Sequence, residues 1–420
     1  MDVTNARAES RRRFLKFLSG SPLLAYPGLI GFAAEGPAAP AKLPDPILWA
    51  PMRTEDLIAS PKDAINVFDF EAVMRRNVPA AHFGYMASGV DDEVTLRANR
   101  EDFLRLKLRP RRLVDVSKVD MSTEILGVKY PTPIIIAPIG SQKAFHPEGE
   151  VAVARAAKAG NHLQILSTVA TSSVEEVTAA RGAPIWYQLY ATNNWEIAKA
   201  LVTRAENAGC PVVAVTVDII GRRNAETQFR LQRTDARECS NCHDRSNQKA
   251  ERRGKPMYDG VDLSGMTNML SSAMTWEFIH RLRDTTKMKI VIKGILAHED
   301  ARLAADAGID AIIVSNHGGR GEDSGRSTID ALPEVVEAVG GRMPILVDSG
   351  FRRGNDIAKA LALGAKGVCV GRPYIWGLGA FGQPGVERVL ELLRLELGSI
   401  MQQVGAPAIK DLTPAMVRRA

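Results

Sequence analysis

The chain has no run of about 20 apolar residues, so nothing in it reads as a standard membrane-spanning helix. It also lacks a long basic run interleaved with aromatics. The net charge of +6 is spread over scattered pairs such as Arg222-Arg223, Arg252-Arg253 and Arg352-Arg353, which argues against a nucleic-acid partner. Cysteine is scarce, at four in 420 residues. Cys210 and Cys369 fall in or beside apolar runs and read as inert core thiols. The remainder is ordinary for a globular protein, 45% hydrophobic and 24% charged, with length for one large core or two domains.

Residues 1–45 read as a leader and linker, and residues 46–420 as one folded unit. Ser10-Arg11-Arg12-Arg13-Phe14-Leu15-Lys16 is close to the twin-arginine export pattern. A modestly apolar region and the small residues Ala38-Ala39-Pro40-Ala41 follow. The expected location is the periplasm, with the cytoplasm and a disordered basic N-terminus as the alternative reading. Twin-arginine export carries proteins that are already folded.

Residues 62–105 read as amphipathic helix, with Gly89 as a stop. Apolar runs of strand length follow at 132–137, 163–169, 184–190, 211–217, 289–294, 311–315, 344–348 and 367–371. Helix-period segments such as Glu150–Ala159, Ala297–Ala307 and Asp356–Leu363 lie between them. Strand and helix alternating eight times predict an α/β fold, the (β/α)8 TIM barrel, with an N-terminal helical extension. The polar stretch 221–275 is too long for one helix and reads as an excursion after strand four, over the barrel mouth.

In such a barrel the chemistry sits at the carboxyl ends of the strands. Those ends read Pro138-Ile139-Gly140, Ser167, Gln188-Leu189-Tyr190, Thr216-Val217-Asp218, Lys293-Gly294, His317-Gly318-Gly319-Arg320, Asp348-Ser349-Gly350-Phe351-Arg352 and Gly371-Arg372. His317 can take a proton near neutral pH, and Arg320 can clamp a carboxylate with paired hydrogen bonds. Gly350 and Gly371 allow backbone N–H groups near a phosphate, with Arg352 and Arg372 supplying charge. The loops after strands seven and eight are the usual phosphate site of this fold. Lys293 can then stabilise negative charge on a ring over the barrel.

At this point the chain resembles the FMN-dependent α-hydroxy acid oxidase and dehydrogenase family over residues 62–415. The matching motifs are Tyr85-x-Ala87-Ser88-Gly89, His146-Pro147-Glu148-Gly149-Glu150, Thr171-Ser172-Ser173-Val174-Glu175-Glu176, Gln188-Leu189-Tyr190, Thr216-Val217-Asp218, Gly221-Arg222-Arg223, Lys293-Gly294, Ser315-Asn316-His317-Gly318-x-Arg320, Arg352-Arg353-Gly354 and Gly371-Arg372-Pro373. The resemblance implies that His317 is the base and that Asp218 balances its imidazolium. It implies that Arg320 and Arg223 grip the substrate carboxylate, with Tyr85 and Tyr190 on the carboxylate or hydroxyl. Lys293 is implied beside the flavin pyrimidine. Pro138, Ile139, Gly140, Ser167, Gln188, Thr216 and Ser315 are implied at the flavin ring, Asp348 at the ribityl chain, and Ser349, Gly350, Phe351, Arg352, Gly371 and Arg372 around the phosphate. Partners so implied are a small 2-hydroxy acid, an electron acceptor (oxygen, a quinone or a cytochrome) and, as is common in the family, further copies of the chain in a tetramer.

Three departures from the family pattern stand out. Val169 replaces a tryptophan that lines the pocket in glycolate oxidases, which implies a roomier pocket. Gly140 replaces an alanine beside the flavin. Asp218-Ile219-Ile220-Gly221-Arg222-Arg223 is two residues shorter than usual, which loosens the assignment of Arg223. A further motif, Cys239-Ser240-Asn241-Cys242-His243, has the pattern of covalent c-type haem attachment. A disulfide or thiol pair and a metal site are the other readings. Rival functions are another FMN- or phosphate-binding barrel, of the inosinate dehydrogenase or isopentenyl-diphosphate isomerase kind, and a non-catalytic flavin relay. The inosinate type needs a nucleophilic cysteine on a Gly-Ser-rich loop, absent here. Neither barrel type explains His317 with Arg320.

Overall fold

The computed structural model describes residues 57–235 and 255–419. The leader and the Cys239-Cys242-His243 motif therefore lie outside the described residues. Eight short parallel strands form the centre: β1 (Ile134–Ile136), β2 (Ile165–Ser167), β3 (Trp186–Tyr190), β4 (Val212–Thr216), β5 (Lys289–Ile295), β6 (Ala311–Val314), β7 (Ile345–Val347) and β8 (Gly367–Val370). Each lies within, or within a residue of, the apolar run that predicted it. Pairing runs in chain order from β2 to β8, and β8 pairs with β1 through Val368 and Ile134. A parallel bridge between Ile136 and Gln164 then brings β1 to β2 and completes the ring.

Strands buried on both faces alternate their side chains between two dry environments. One set, including Ile135, Ile165, Trp186, Val212, Ala214, Val291, Ala311, Ile313, Leu346 and Cys369, packs together as the barrel interior. The alternate set, including Ile134, Ile136, Leu166, Tyr187, Val213, Val215, Ile292, Ile312, Val347 and Val368, packs into the larger core with the helices. Continuing the inward set one or two steps up each strand reaches Ser167, Gln188, Tyr190, Thr216, Lys293, Ser315 and Asp348. The apolar interior thus turns polar at its carboxyl end. Cys210 and Cys369 are buried thiols, and burial holds Cys210 up at about 12.

The segment before the barrel forms three helices, α1 (Asp69–Asn77), α2 (Ala80–Ala87) and α3 (Val94–Glu101). Pro79 breaks the first pair, because its ring fits the entry to a helix better than its interior. The expected stop falls in place: α2 ends at Ala87 with Ser88 as an extended C-cap, immediately before Gly89. Gly89 also permits a close crossing, since a Cβ there would lie 2.8 Å from the Gly319 carbonyl oxygen. The excursion after β4 contains the helix α4 (Glu226–Arg233), which the polar sequence had not suggested.

The helix α3 clamps the loops after β6 and β7. Asn99 and Asn316 exchange amide hydrogen bonds at 2.9 and 2.8 Å, and both are buried. Arg100 donates to the Gly350 carbonyl and to Asp356 at 2.6 Å. Gly350 has φ +85°, and a Cβ there would fall 1.9 Å from the Asn99 carbonyl oxygen. The variant Gly350→Ala therefore adds left-handed strain to a steric overlap. It should lose about 3 kcal/mol of unfolding free energy in denaturant titration. An unchanged midpoint would contradict this packing.

Candidate active site

The loop after β6 carries His317 into the mouth with φ +57°, a left-handed conformation uncommon outside glycine. Gly318 and Gly319 continue it at +72° and +73°. The His317 amide donates to Ser315 Oγ at 3.0 Å, and the Gly318 amide to Ser349 Oγ at 3.0 Å. The loop is therefore pinned by the end of its own strand and by the loop after β7.

His317 Nδ1 lies 2.8 Å from Asp218 Oδ1, and Nε2 lies 3.3 Å from the Tyr190 hydroxyl. Burial would raise the Asp218 carboxyl, but Lys293 and then His317 outweigh it and hold the group down at about 2. An ionised Asp218 fixes the tautomer: Nδ1 carries the proton and donates, leaving the Nε2 lone pair toward Tyr190. Lys293 Nζ also approaches Nδ1, at 3.5 Å, but the Asp218 contact is much shorter and decides the matter. Burial lowers the His317 pKa below its ordinary value, Asp218 opposes that, and Lys293 adds to it. The imidazole is consequently neutral at pH 7 and able to accept a proton.

Lys293 is buried between two carboxylates, 3.5 Å from Asp218 and 3.4 Å from Asp348, and donates to Ser315 Oγ at 2.8 Å. Burial alone would favour the neutral amine, yet Asp218 and Asp348 raise its pKa and keep it charged. The Asp348 carboxylate, expected at the ribityl chain, is engaged by Lys293 and by the Ser349 hydroxyl at 2.7 Å.

Arg320 lies 4.6 Å above the Tyr85 ring and donates through Nη1 to the Tyr85 and Ser88 carbonyls. Its Nε and Nη2 make no hydrogen bond to the described residues. Burial lowers its pKa, and the nearby Arg223 charge adds to the shift. Arg223 also acts electrostatically on Tyr190, so the shortened loop still delivers it to this cluster.

A second group of cations lies deeper. Arg372 donates to three backbone carbonyls, those of Met86, Gly318 and Ser88. Burial and then the Arg320 charge lower it to about 10. Arg352 packs 4.7 Å over the Trp376 ring, and its buried Nε has no hydrogen-bond partner among the described residues. Burial, Arg100 and Arg372 all push its pKa well down. Among the described residues neither guanidinium has a carboxylate partner. Four buried cations, Lys293, Arg320, Arg352 and Arg372, thus gather here: Asp218 and Asp348 contact Lys293, Glu71 and Asp356 act on Arg352 through their charge, and Glu71, Glu93 and Asp348 on Arg372. Buried guanidiniums without an ion-pair contact are costly unless an anion completes them.

Both arginines line a slot with Pro138, Ile139, Gly140, Ser349, Gly350, Phe351 and Gly371. Ser167, Gln188, Thr216 and Ser315 are not among its lining residues. They form a buried polar ladder between strands, with Ser167 donating to Gln188 at 3.2 Å and Gln188 to Thr216 at 2.9 Å. A wider cavity of about 1590 Å³ lies outside the slot.

A parallel barrel with a base, a carboxylate clamp and an anion cradle at its carboxyl mouth defines an enzyme built around a phosphorylated cofactor. Residues 74–419 match the FMN-dependent dehydrogenase family, and the chain belongs to it. It is an FMN-dependent 2-hydroxyacid oxidase or dehydrogenase. Glycolate oxidase 1 of Oryza sativa subsp. indica is 41% identical over 366 residues, covering 84% of this chain and 95% of the rice protein. The fold is shared with a mandelate oxidase mutant bound to (S)-mandelic acid, at TM-score 0.74 and 35% identity, over 84% of this chain and 98% of that one. A soluble mutant of the membrane-associated (S)-mandelate dehydrogenase from Pseudomonas putida gives TM-score 0.76 and 33% identity, over 85% of this chain and 100% of that one.

FMN fits the site on its own chemistry. Arg352 and Arg372 offer unpaired positive charge and an orphaned Nε to a phosphate, beside a slot edged by peptide backbone. Sequence reasoning missed Asn99, which lies far from the site motifs in the chain and has no local pattern of its own. Met266 and Met269, from the excursion after β4, line the outer cavity. The variant Arg352→Met should weaken FMN binding by about 100-fold, the loss of a charge-assisted contact. It should leave the FMN-free protein no less stable, because an unpaired buried charge is removed. Flavin fluorescence titration and thermal unfolding of the flavin-free protein read the two effects separately.

Proposed function

We propose that the protein oxidises an (S)-2-hydroxy acid to the 2-oxo acid with His317 as base. The observation that carries this is the line Asp218–His317–Tyr190, set beside Arg320 at the shared wall of slot and outer cavity. Arg320, Arg223 and Tyr85 hold the substrate carboxylate, and Tyr190 hydrogen-bonds the hydroxyl. FMN, with its phosphate at Arg352 and Arg372, supplies the two-electron acceptor. His317 Nε2 takes the proton released from the substrate. Asp218 stabilises the imidazolium through Nδ1. Lys293 keeps a fixed positive charge at the slot floor. The twin-arginine pattern supports export of the folded, FMN-loaded protein and delivery of electrons to oxygen or to a quinone or cytochrome outside the cytoplasm.

Anaerobic mixing with (S)-lactate or (S)-mandelate should bleach the flavin. The variant His317→Ala should keep its yellow flavin but bleach roughly 100- to 10,000-fold more slowly. Bleaching at the normal rate would remove His317 as the base. In wild type, kcat/KM should rise with pH through an apparent pKa below about 6.5, since only neutral imidazole accepts the proton. In Asp218→Asn that acid limb should move lower, because Asp218 raises the His317 pKa. The maximal rate should also fall, since the imidazolium loses its counter-charge. A limb that moves upward would contradict the assigned contact.

A further inference from the structure

Side chains and the loop after β2 hold the backbone of residues 137–143, the loop after β1. Tyr374 donates to the Ala137 carbonyl at 2.9 Å, and Gln142 Nε2 to the Ile139 carbonyl at 3.0 Å. The Ser141 amide donates to the Val169 carbonyl at 3.0 Å. The Gln142 amide donates to Glu150 Oε1 at 3.1 Å, and the Lys143 amide to Thr171 Oγ1 at 3.0 Å. Pro138 has no N–H. The amides of Ile139 and Gly140 remain: they donate to no acceptor among the described residues, and both residues line the slot.

One buried carboxylate orders this loop. Glu150 lies in the first turn of the helix Gly149–Gly160 and is fully buried. Its Oε1 also accepts from the Thr171 amide at 2.8 Å, and its Oε2 from the Thr171 hydroxyl at 2.7 Å. Thr171 Oγ1 therefore gives its proton to Glu150 and takes the Lys143 amide on a lone pair. The partners of Glu150 among the described residues are two amides and a hydroxyl, with no ion pair. A carboxylate in so dry a place is tolerable only while its donors stay aimed at it. Ser141, at φ +57°, turns the chain so that successive amides converge on this cluster, as in an anion-binding nest. The loops after β1 and β2 are thus joined through Glu150, and neither can shift without stranding it. Neither Glu150 nor Thr171 lines the slot or the outer cavity, so both act through the loop.

We propose that Glu150 is a positioning residue for the flavin: seated against Gln142 and Thr171, it holds the free amides of Ile139 and Gly140 at the slot, where they donate to the acceptor atoms of the ring. A reduced flavin carries more negative charge on those atoms than an oxidised one. Well-placed amides therefore bind it more tightly and raise the reduction potential. The inference rests on FMN occupying the slot, as read above, and the test separates it from the assigned reaction.

The FMN dissociation constant and the two-electron reduction potential are measured on wild type, Thr171→Val, Thr171→Ser and Glu150→Gln. Thr171→Val keeps the carboxylate and the side-chain shape but removes the hydroxyl between Glu150 and Lys143. It should weaken FMN binding about tenfold. It should disfavour the reduced flavin a further tenfold relative to the oxidised, a fall of about 30 mV. Thr171→Ser returns the hydroxyl and should return both quantities. Glu150→Gln turns an amide donor toward the donors of the loop and should also lower the potential. A carboxylate that acted only as a nearby negative charge would raise the potential when neutralised. A rise in Glu150→Gln, wild-type values in Thr171→Val, or no recovery in Thr171→Ser would each overturn the role. If Glu150→Gln does not fold, the Thr171 pair decides. Anaerobic bleaching by (S)-lactate or (S)-mandelate is the control. Bleaching in wild type with unchanged affinity and potential in the variants sinks only the positioning role. A wild type that binds FMN and never bleaches sinks the reaction, while the affinities and potentials still decide the role of Glu150.

Discussion

One ammonium group organises the mouth of the barrel. Lys293 is the inward residue of β5 at the height where the interior ceases to be apolar, and two carboxylates share it. Its charge is the largest influence keeping Asp218 ionised despite burial. An ionised Asp218 in turn sets which imidazole nitrogen of His317 carries the proton. The chemistry of the loop after β6 is thus decided by a residue on the neighbouring strand. Burying a lone lysine there would be prohibitive. Two acidic partners and the Ser315 hydroxyl make it tolerable.

The same region holds buried guanidiniums without an ion-pair contact among the described residues. In a folded core that arrangement costs free energy, and a protein keeps it only where something negative is to be bound. Arg352 shows the cost most plainly, with a buried Nε that no described residue satisfies. Arg372 directs its donors to three carbonyls, those of Met86, Gly318 and Ser88, and so ties the loop after β6 to the end of α2.

The barrel was legible because its strands are short, uniformly apolar runs, and nothing else in the chain has that texture. His317, Arg320, Lys293 and Asp218 were legible because a polar residue at the end of such a run has no packing reason to be there. Other features left no mark in the sequence. The engagement of Asp348 by Lys293 joins strands five and seven, and the amide exchange between Asn99 and Asn316 joins residues 217 positions apart. The close approach of Val169 to Gly140, where a Cβ would lie 2.4 Å from Cγ2, exists only once two loops are folded side by side. Gly89 was legible as a helix end, but not as the place where the loop after β6 passes close by. The placement of Ser167, Gln188, Thr216 and Ser315 beneath the slot follows from counting inward positions, a step that needs the register as well as the pattern.

The crossing of α3 over the loops after β6 and β7 has a kinetic side. The Asn99–Asn316 pair and the Arg100 contacts to Gly350 and Asp356 lie across the loops that edge the nucleotide slot. Widening that edge means parting buried amides and a buried ion pair in one event. Any widening of the slot at this edge is thereby coupled to detachment of the helical segment that precedes the barrel.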